Sequence, residues 1–170
     1  GTRALSPDRL VHNLTVDGLH TYYVGVGATA VLTHNDDLLP LDQCFESATR
    51  VRDEGLARMH ASLGSKNQVN RSASMIVGAV DRRTGDTAVG VKVPNDGEYC
   101  AEDRACEALM GKGSRREDIV YSAPRFPNDW KGVGSPLSRS PEVCVRCQGR
   151  IDPGQMPSDA RAEPGGAWGW

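Results

Sequence analysis

Two cysteines three residues apart, Cys144 and Cys147, and a third well upstream, Cys100, constrain this chain more than any other feature. Thiols at i and i+3 of a helix start point to one side, because a single turn brings those positions together. If Cys100 also opens a helix, two distant segments must converge for the three sulfurs to meet. The five cysteines (Cys44, Cys100, Cys106, Cys144 and Cys147) are an odd number with one tight pair. That fits a disulfide framework poorly, and metal ligation or a reduced compartment better.

Three thiolates around tetrahedral zinc leave one position open. Helix N-termini suit thiolates, since unpaired N–H groups and the helix dipole favour the anion. Three thiolates also leave the site net negative, and the two helix ends, helped by Arg146 or Arg104, would offset part of that charge. Glu102 stands two residues beyond Cys100, near the metal without being obliged to bind it, as a general acid/base should. Blander readings stand beside this one. A lone Cys-x-x-Cys also serves as a redox pair, and Cys100 alone would pass for a buried helix-start cysteine. A closed structural site would need Cys106 as fourth ligand, but Cys106 is six residues from Cys100 and on a different helix face. Cys44 and Cys106 are therefore expected in the core.

The elements around these residues follow from periodicity. Leu10 to Val16 and Thr21 to Leu32 predict a pair of strands about an Asp17-Gly18 turn, with Gly25 and Gly27 marking a bend or bulge. Leu41, Phe45, Ala48, Val51, Leu56, Met59 and Leu63 predict an amphipathic helix, weakened at Gly55. Ser65 to Arg71 reads as a loop. Ser74 to Val80 and Thr87 to Val93 predict a hairpin about Thr84-Gly85-Asp86. A helix is expected from Cys100 to Met110, a strand from Asp118 to Ser122, and a last helix starting around Pro141 to Cys144. Residues 123 to 141 read as a loop, and the Pro- and Gly-rich tail after Ile151 as irregular. This order predicts an α/β fold, a sandwich of a small mixed sheet with helices on its faces, plus an N-terminal β segment.

Composition sets limits. Of 170 residues 38% are hydrophobic and only two are Phe, so the core is small and aliphatic. No run approaches the ~20 apolar residues of a membrane-spanning helix. Twenty basic against twenty-two acidic residues give a net charge of −2, unlike a strongly basic nucleic-acid binder. Phosphate contacts would have to come from local groups such as Arg82, Arg83, Lys112, Arg115, Arg116 and Arg125. The first residues carry no signal-peptide pattern and no initiating Met, so the chain is expected to be a piece of a longer protein.

Cys100-Ala101-Glu102 followed by Cys144-x-x-Cys147-Gln148, over residues 40 to 150, resembles the cytidine-deaminase superfold, and within it the YwqJ-like deaminases of bacterial polymorphic toxins. The first ligand here is Cys, not the His usual in nucleic-acid editors, and Pro141 stands three residues before Cys144 instead of immediately before it. The resemblance implies a zinc-dependent deaminase with Cys100, Cys144 and Cys147 on the metal. Glu102 would move protons while a zinc-activated water replaces the amine of a base. Upstream, Val11 to Val16, His20 to Val24 and Val31-Leu32-Thr33-His34-Asn35 resemble the last blocks of a HINT (intein-like) pre-toxin domain. That resemblance implies that Asn35 cyclises with help from His34 and cuts the chain behind itself. It divides the chain into residues 1–35, a HINT remnant, and 36–170, the deaminase.

Together these imply a secreted bacterial effector acting in the cytoplasm of a target cell. It would convert cytosine to uracil in DNA or RNA, and a cognate immunity protein is expected as a partner. Tyr99, Ala101, Phe126, Trp130 and Arg125 are the candidate substrate contacts, with Tyr121 a further aromatic. The alternatives are a deaminase of free nucleosides or nucleotides and a non-catalytic zinc-stabilised module.

Overall fold

Residues 75–81 are apolar almost without alternation, the mark of a strand covered on both faces. In the computed structural model, which describes residues 21–26, 29–34, 38–97, 99–129, 131–132 and 141–168, they form a strand buried at every position. The chain divides into two units, Gly1–Asp37 and Leu38–Trp170.

In the first unit, β1 (Thr21–Val26) and β2 (Thr29–His34) form an antiparallel hairpin in which Thr21 faces His34 and Val26 faces Thr29. The stretch expected to be one strand with a bend thus pairs with itself as two strands. The expected strand from Leu10 to Val16 lies outside the described residues.

In the second unit, α1 (Leu41–Leu63) and α2 (Lys66–Ser72) precede β3 (Met75–Asp81) and β4 (Thr87–Lys92). Then come α3 (Ala101–Met110), β5 (Ile119–Tyr121), β6 (Glu142–Val143), α4 (Val145–Gln148) and β7 (Arg161–Ala162). The sheet order is β4-β3-β5 with both pairings antiparallel, whereas a mixed sheet was expected. The parallel pairing among the described residues is β6 with β7, apart from that sheet. α2 replaces the expected loop, because Ser65 Oγ accepts the Gln68 N–H at 3.3 Å and caps its first turn. The expected last helix forms as α4, a single turn with Cys144 as its N-cap, preceded by the two-residue β6. The tail is ordered too: Met156 is buried and Trp168 packs against the core.

Two glycines set the layers. A Cβ on Gly78 would lie 1.9 Å from the Ala48 carbonyl oxygen, and one on Gly90 would lie 1.8 Å from that of Ala101. Gly78 faces Val89 across the hairpin and Val77 faces Gly90, so the two glycines lie on opposite sheet faces. α1 therefore lies on one face and α3 on the other, each with its backbone against the sheet. The α1 face buries Cys44, Ala48, Val80 and Val120. The α3 face buries Met75, Val77, Ala79, Ala105, Cys106, Leu109 and Tyr121. The buried stripe of α1 recurs every four residues at Cys44, Ala48, Arg52 and Leu56, so an arginine stands where a plain amphipathic pattern would put an aliphatic. Its guanidinium donates to Asp53 Oδ1 at 2.8 Å and to the Ala123 carbonyl at 2.6 Å.

Candidate metal centre

Cys100 and Cys144 are N-cap residues, the first of α3 and the second of α4, both with extended backbone. α3 is fixed by its approach to Gly90, which holds Cys100 at the edge of the α3-side core. The single turn of α4 carries Cys147 back beneath Cys144. The sulfurs of Cys100, Cys144 and Cys147 all lie within 4.8 Å of one another, and those of Cys100 and Cys144 are 3.2 Å apart. Around a tetrahedral ion with metal–sulfur bonds of about 2.3 Å, sulfurs sit roughly 3.8 Å apart, inside that spread.

Glu102 completes the arrangement. It is 1% exposed, its Oε2 lies 3.8 Å from Cys147 Sγ, and its Oε1 is buried with no hydrogen-bond partner. A buried, unpartnered carboxylate oxygen is costly unless something binds it in the working state. Three convergent thiols and an orphaned acid therefore fit a soft divalent ion such as zinc with one position left for chemistry.

The electrostatics agree. Burial pushes Glu102 up to about 7; a backbone hydrogen bond pulls against this, and negative charge on Cys144 and Asp103 adds to it. Cys144 is held down to about 2 by hydrogen bonds from Cys100 and Cys147, with the N–H groups of Cys147 and Arg146 also favouring its anion. Hydrogen bonding to Cys144 pushes Cys100 up to about 11. Cys147 is pushed up as well, through its hydrogen bonds to Cys100 and then Cys144. These interactions favour the anion at Cys144 and the protonated form at Cys100 and Cys147. The ion would displace the remaining protons.

Cys106 is outside the cluster, its thiol directed at Met110 Sδ 3.6 Å away, and Cys44 is buried under α1 near the Leu39 carbonyl. Arg104 is paired with Asp96 and lies 5.8 Å from the centre of the Tyr99 ring. Arg146 Nη2 stands 4.0 Å from Asp103 Oδ2, and Arg150 Nη1 3.3 Å from Asp103 Oδ1. The two arginines expected to offset thiolate charge thus meet carboxylates. Asp103, which sequence reasoning passed over, ties α3 to the ligand turn; its position next to Glu102 was the available signal.

Of the candidate substrate contacts, Tyr99 is exposed beside Cys100, and Ala101 is fully buried with its carbonyl against Gly90. Arg125 is buried with Nη1 3.5 Å from Asp53 Oδ1, and exchanges backbone hydrogen bonds with Ile76. Phe126 is half-buried and lines a surface pocket with Asn70 and Ala73. Tyr121 is buried in the core on the α3 face. Trp130 and Asn35 lie outside the described residues, and His34 is the last residue of β2. The cluster therefore gathers Cys100, Glu102, Cys144 and Cys147, with Tyr99 and Ala101 adjoining it. Arg125 and Phe126 sit instead with α1 and α2.

No protein-family profile matches the chain, and no solved structure matches it. A stretch of 52 residues is 36% identical to a UPF0758 protein of Idiomarina loihiensis, covering 31% of this chain and 23% of that protein. The chain thus spans less than a quarter of the relative it matches. No helix among the described residues is long and apolar enough to cross a membrane.

Proposed function

We propose that residues 36–170 are a zinc-dependent nucleobase deaminase of the cytidine-deaminase-like sandwich type, carried as the toxin of a secreted bacterial effector. The observation that carries this reading is the buried Glu102, with one oxygen unpartnered, beside three thiols able to fill three positions of a tetrahedral ion. A purely structural site has no use for such an acid. Helices on both faces of the sheet, with the Cys100 helix start and the Cys144 turn meeting at one place, support the same fold type.

Bound zinc supplies Lewis acidity that makes an attacking water acidic near neutral pH. Cys100, Cys144 and Cys147 would hold the ion. Glu102, poised near neutrality by burial, accepts a proton from the water at its free Oε1. It would pass that proton to the ring nitrogen, and the second proton of the same water to the departing amine. The balance is aminobase plus water to oxobase plus ammonia. Cytosine in DNA or RNA is the proposed substrate, with Tyr99 as the exposed aromatic available for stacking. The upstream segment ending in His34 and Asn35 is proposed as the processing element, and a cognate immunity protein as the partner.

The full chain, loaded with zinc, is to be incubated with single-stranded DNA, duplex DNA, RNA, cytidine and adenosine. Exchange of amine for carbonyl shifts the product mass by roughly one dalton. Product from a polymer, lost in Glu102→Ala with zinc retained, is the expected result. Product from cytidine or adenosine alone would move the substrate to free nucleosides, and no product with zinc bound would overturn the enzyme.

A further inference from the structure

The two sides of the metal cluster are held in different ways. Cys100 begins a ten-residue helix laid against the sheet, whereas Cys144 and Cys147 belong to a four-residue helix. One helical turn does not hold its own shape in water, because the first turn fixes several residues for one hydrogen bond. Something outside must set the spacing of these two thiols.

The neighbouring contacts are specific. Gln148, one residue after Cys147, is 4% exposed. Its Nε2 donates to the carbonyl of Val143, one residue before Cys144, at 2.8 Å, and to the carbonyl of Glu163 at 2.9 Å. Both amide hydrogens are used, and Oε1 accepts the Trp168 N–H at 3.4 Å. The side chain thus clips the two ends of the ligand turn together and ties both to the tail. The tail answers through its own backbone and side chain: Glu163 N–H donates to the Val143 carbonyl at 3.0 Å, and Glu163 Oε2 accepts the N–H of Val145, between the two ligands, at 3.2 Å. Gly166 lies so close that a Cβ there would meet Gln148 Oε1 at 1.8 Å.

We propose that Gln148, backed by residues 161–168, is a positioning residue for metal: it fixes the Cys144–Cys147 turn in the geometry that binds the ion. This rests on the metal reading of the three thiols. Groups that hold ligands in place govern metal affinity, and their loss costs about 10- to 100-fold.

The test uses the full chain. Zinc affinity is measured by competition with a chromogenic chelator, and cobalt(II) spectra report thiolate coordination, for wild type, Gln148→Met and Gln148→Glu. Thermal melts of the metal-free proteins run in parallel. Both variants are expected to bind zinc about 10- to 100-fold more weakly and to alter the cobalt bands, beyond any change in the metal-free melt. Arg58→Ala, which removes an exposed 3.9 Å pair with Glu54 on α1, is expected to match wild type. Should the Gln148 variants fail to fold, Gly166→Ala displaces the same amide without deleting it, and a loss of affinity in the same direction is expected. Wild-type affinity in the folded variants, with or without an earlier melt, would overturn the clasp and leave the metal site standing. A wild type that takes up no metal would overturn both.

Discussion

Asp53 and Glu102 are both buried carboxylates, carried by helices on opposite faces of one sheet, and they are treated in opposite ways. Asp53 Oδ1 meets two guanidinium groups, Arg52 at 2.8 Å and Arg125 at 3.5 Å, and Arg52 also donates to the Ala123 carbonyl. Among the described residues Glu102 meets no cation; it keeps one oxygen without a partner and is pushed up to about 7 by burial. Removing a charge from water costs several kcal/mol, which pairing offsets only with good geometry. On the α1 face that cost is offset inside the fold, and the acid is architecture. On the α3 face it is left standing beside three thiols, where a ligand would offset it. A buried acid therefore points to a site through the partner it lacks.

The contrast is sharpest in paired substitutions. Glu102→Gln keeps the shape and removes the proposed proton carrier, so turnover is expected to fall about 10²- to 10⁴-fold, read as ammonia release under saturating zinc. The metal-free fold should be no less stable than wild type at neutral pH, and a large loss of stability there would erase the distinction. Asp53→Ala should do the reverse by leaving buried guanidinium groups uncompensated. A destabilisation of about 3–5 kcal/mol is expected in urea, with the zinc affinity of the folded fraction unchanged.

Acid and base should separate the two faces as well. A carboxyl raised in the folded state binds its proton more tightly there than in the unfolded chain. Its stabilising contribution is thus complete below the unfolded value of about 4.5 and is lost as pH rises through about 7. Cys144, held low in the fold, contributes the opposite slope, so the Glu102 part is read as a difference: relative to Glu102→Gln, metal-free wild type should lose about 3 kcal/mol across that window. Equal slopes in the two proteins would place the titration elsewhere. The smallest effects concern the layers: Gly78→Ala and Gly90→Ala both force a helix off the sheet, at about 1–3 kcal/mol each. Only Gly90→Ala should also weaken zinc, since only that glycine sets the height of α3.

The elements with strong periodicity were legible in the sequence. The α1 helix spans the residues its apolar steps mark, the β3–β4 hairpin forms about Thr84-Gly85-Asp86, and α3 begins after Cys100. α2 was hidden because its seven residues bury one side chain, Val69, and the cap at Ser65 is its main local signal. The tail was hidden for a different reason. Its order comes from side chains reaching distant backbone, such as Gln155 Nε2 to the Ile119 carbonyl at 2.6 Å and Trp168 Nε1 to the Ile151 carbonyl at 3.0 Å, which leave no period along the chain. The mixed sheet failed because the parallel pairing among the described residues formed at β6–β7, two residues long, outside the main sheet. Spacing and helix-start placement drew Cys100, Cys144 and Cys147 together, and position with the family resemblance added Glu102. None of these was enough to find Gln148 or Asp103 in their supporting roles, since both depend on contacts across more than one element.

Gly90 contributes no side chain to the thiol cluster and belongs to a strand that supplies none of its cysteines. Yet the Ala101 carbonyl, one residue past Cys100, rests where its Cβ would be. A saturation scan scored by metal retention would thus return a position with no donor atom among the cysteines. The blueprint of the site includes an empty volume the size of one methyl group, which a catalogue of functional side chains would omit.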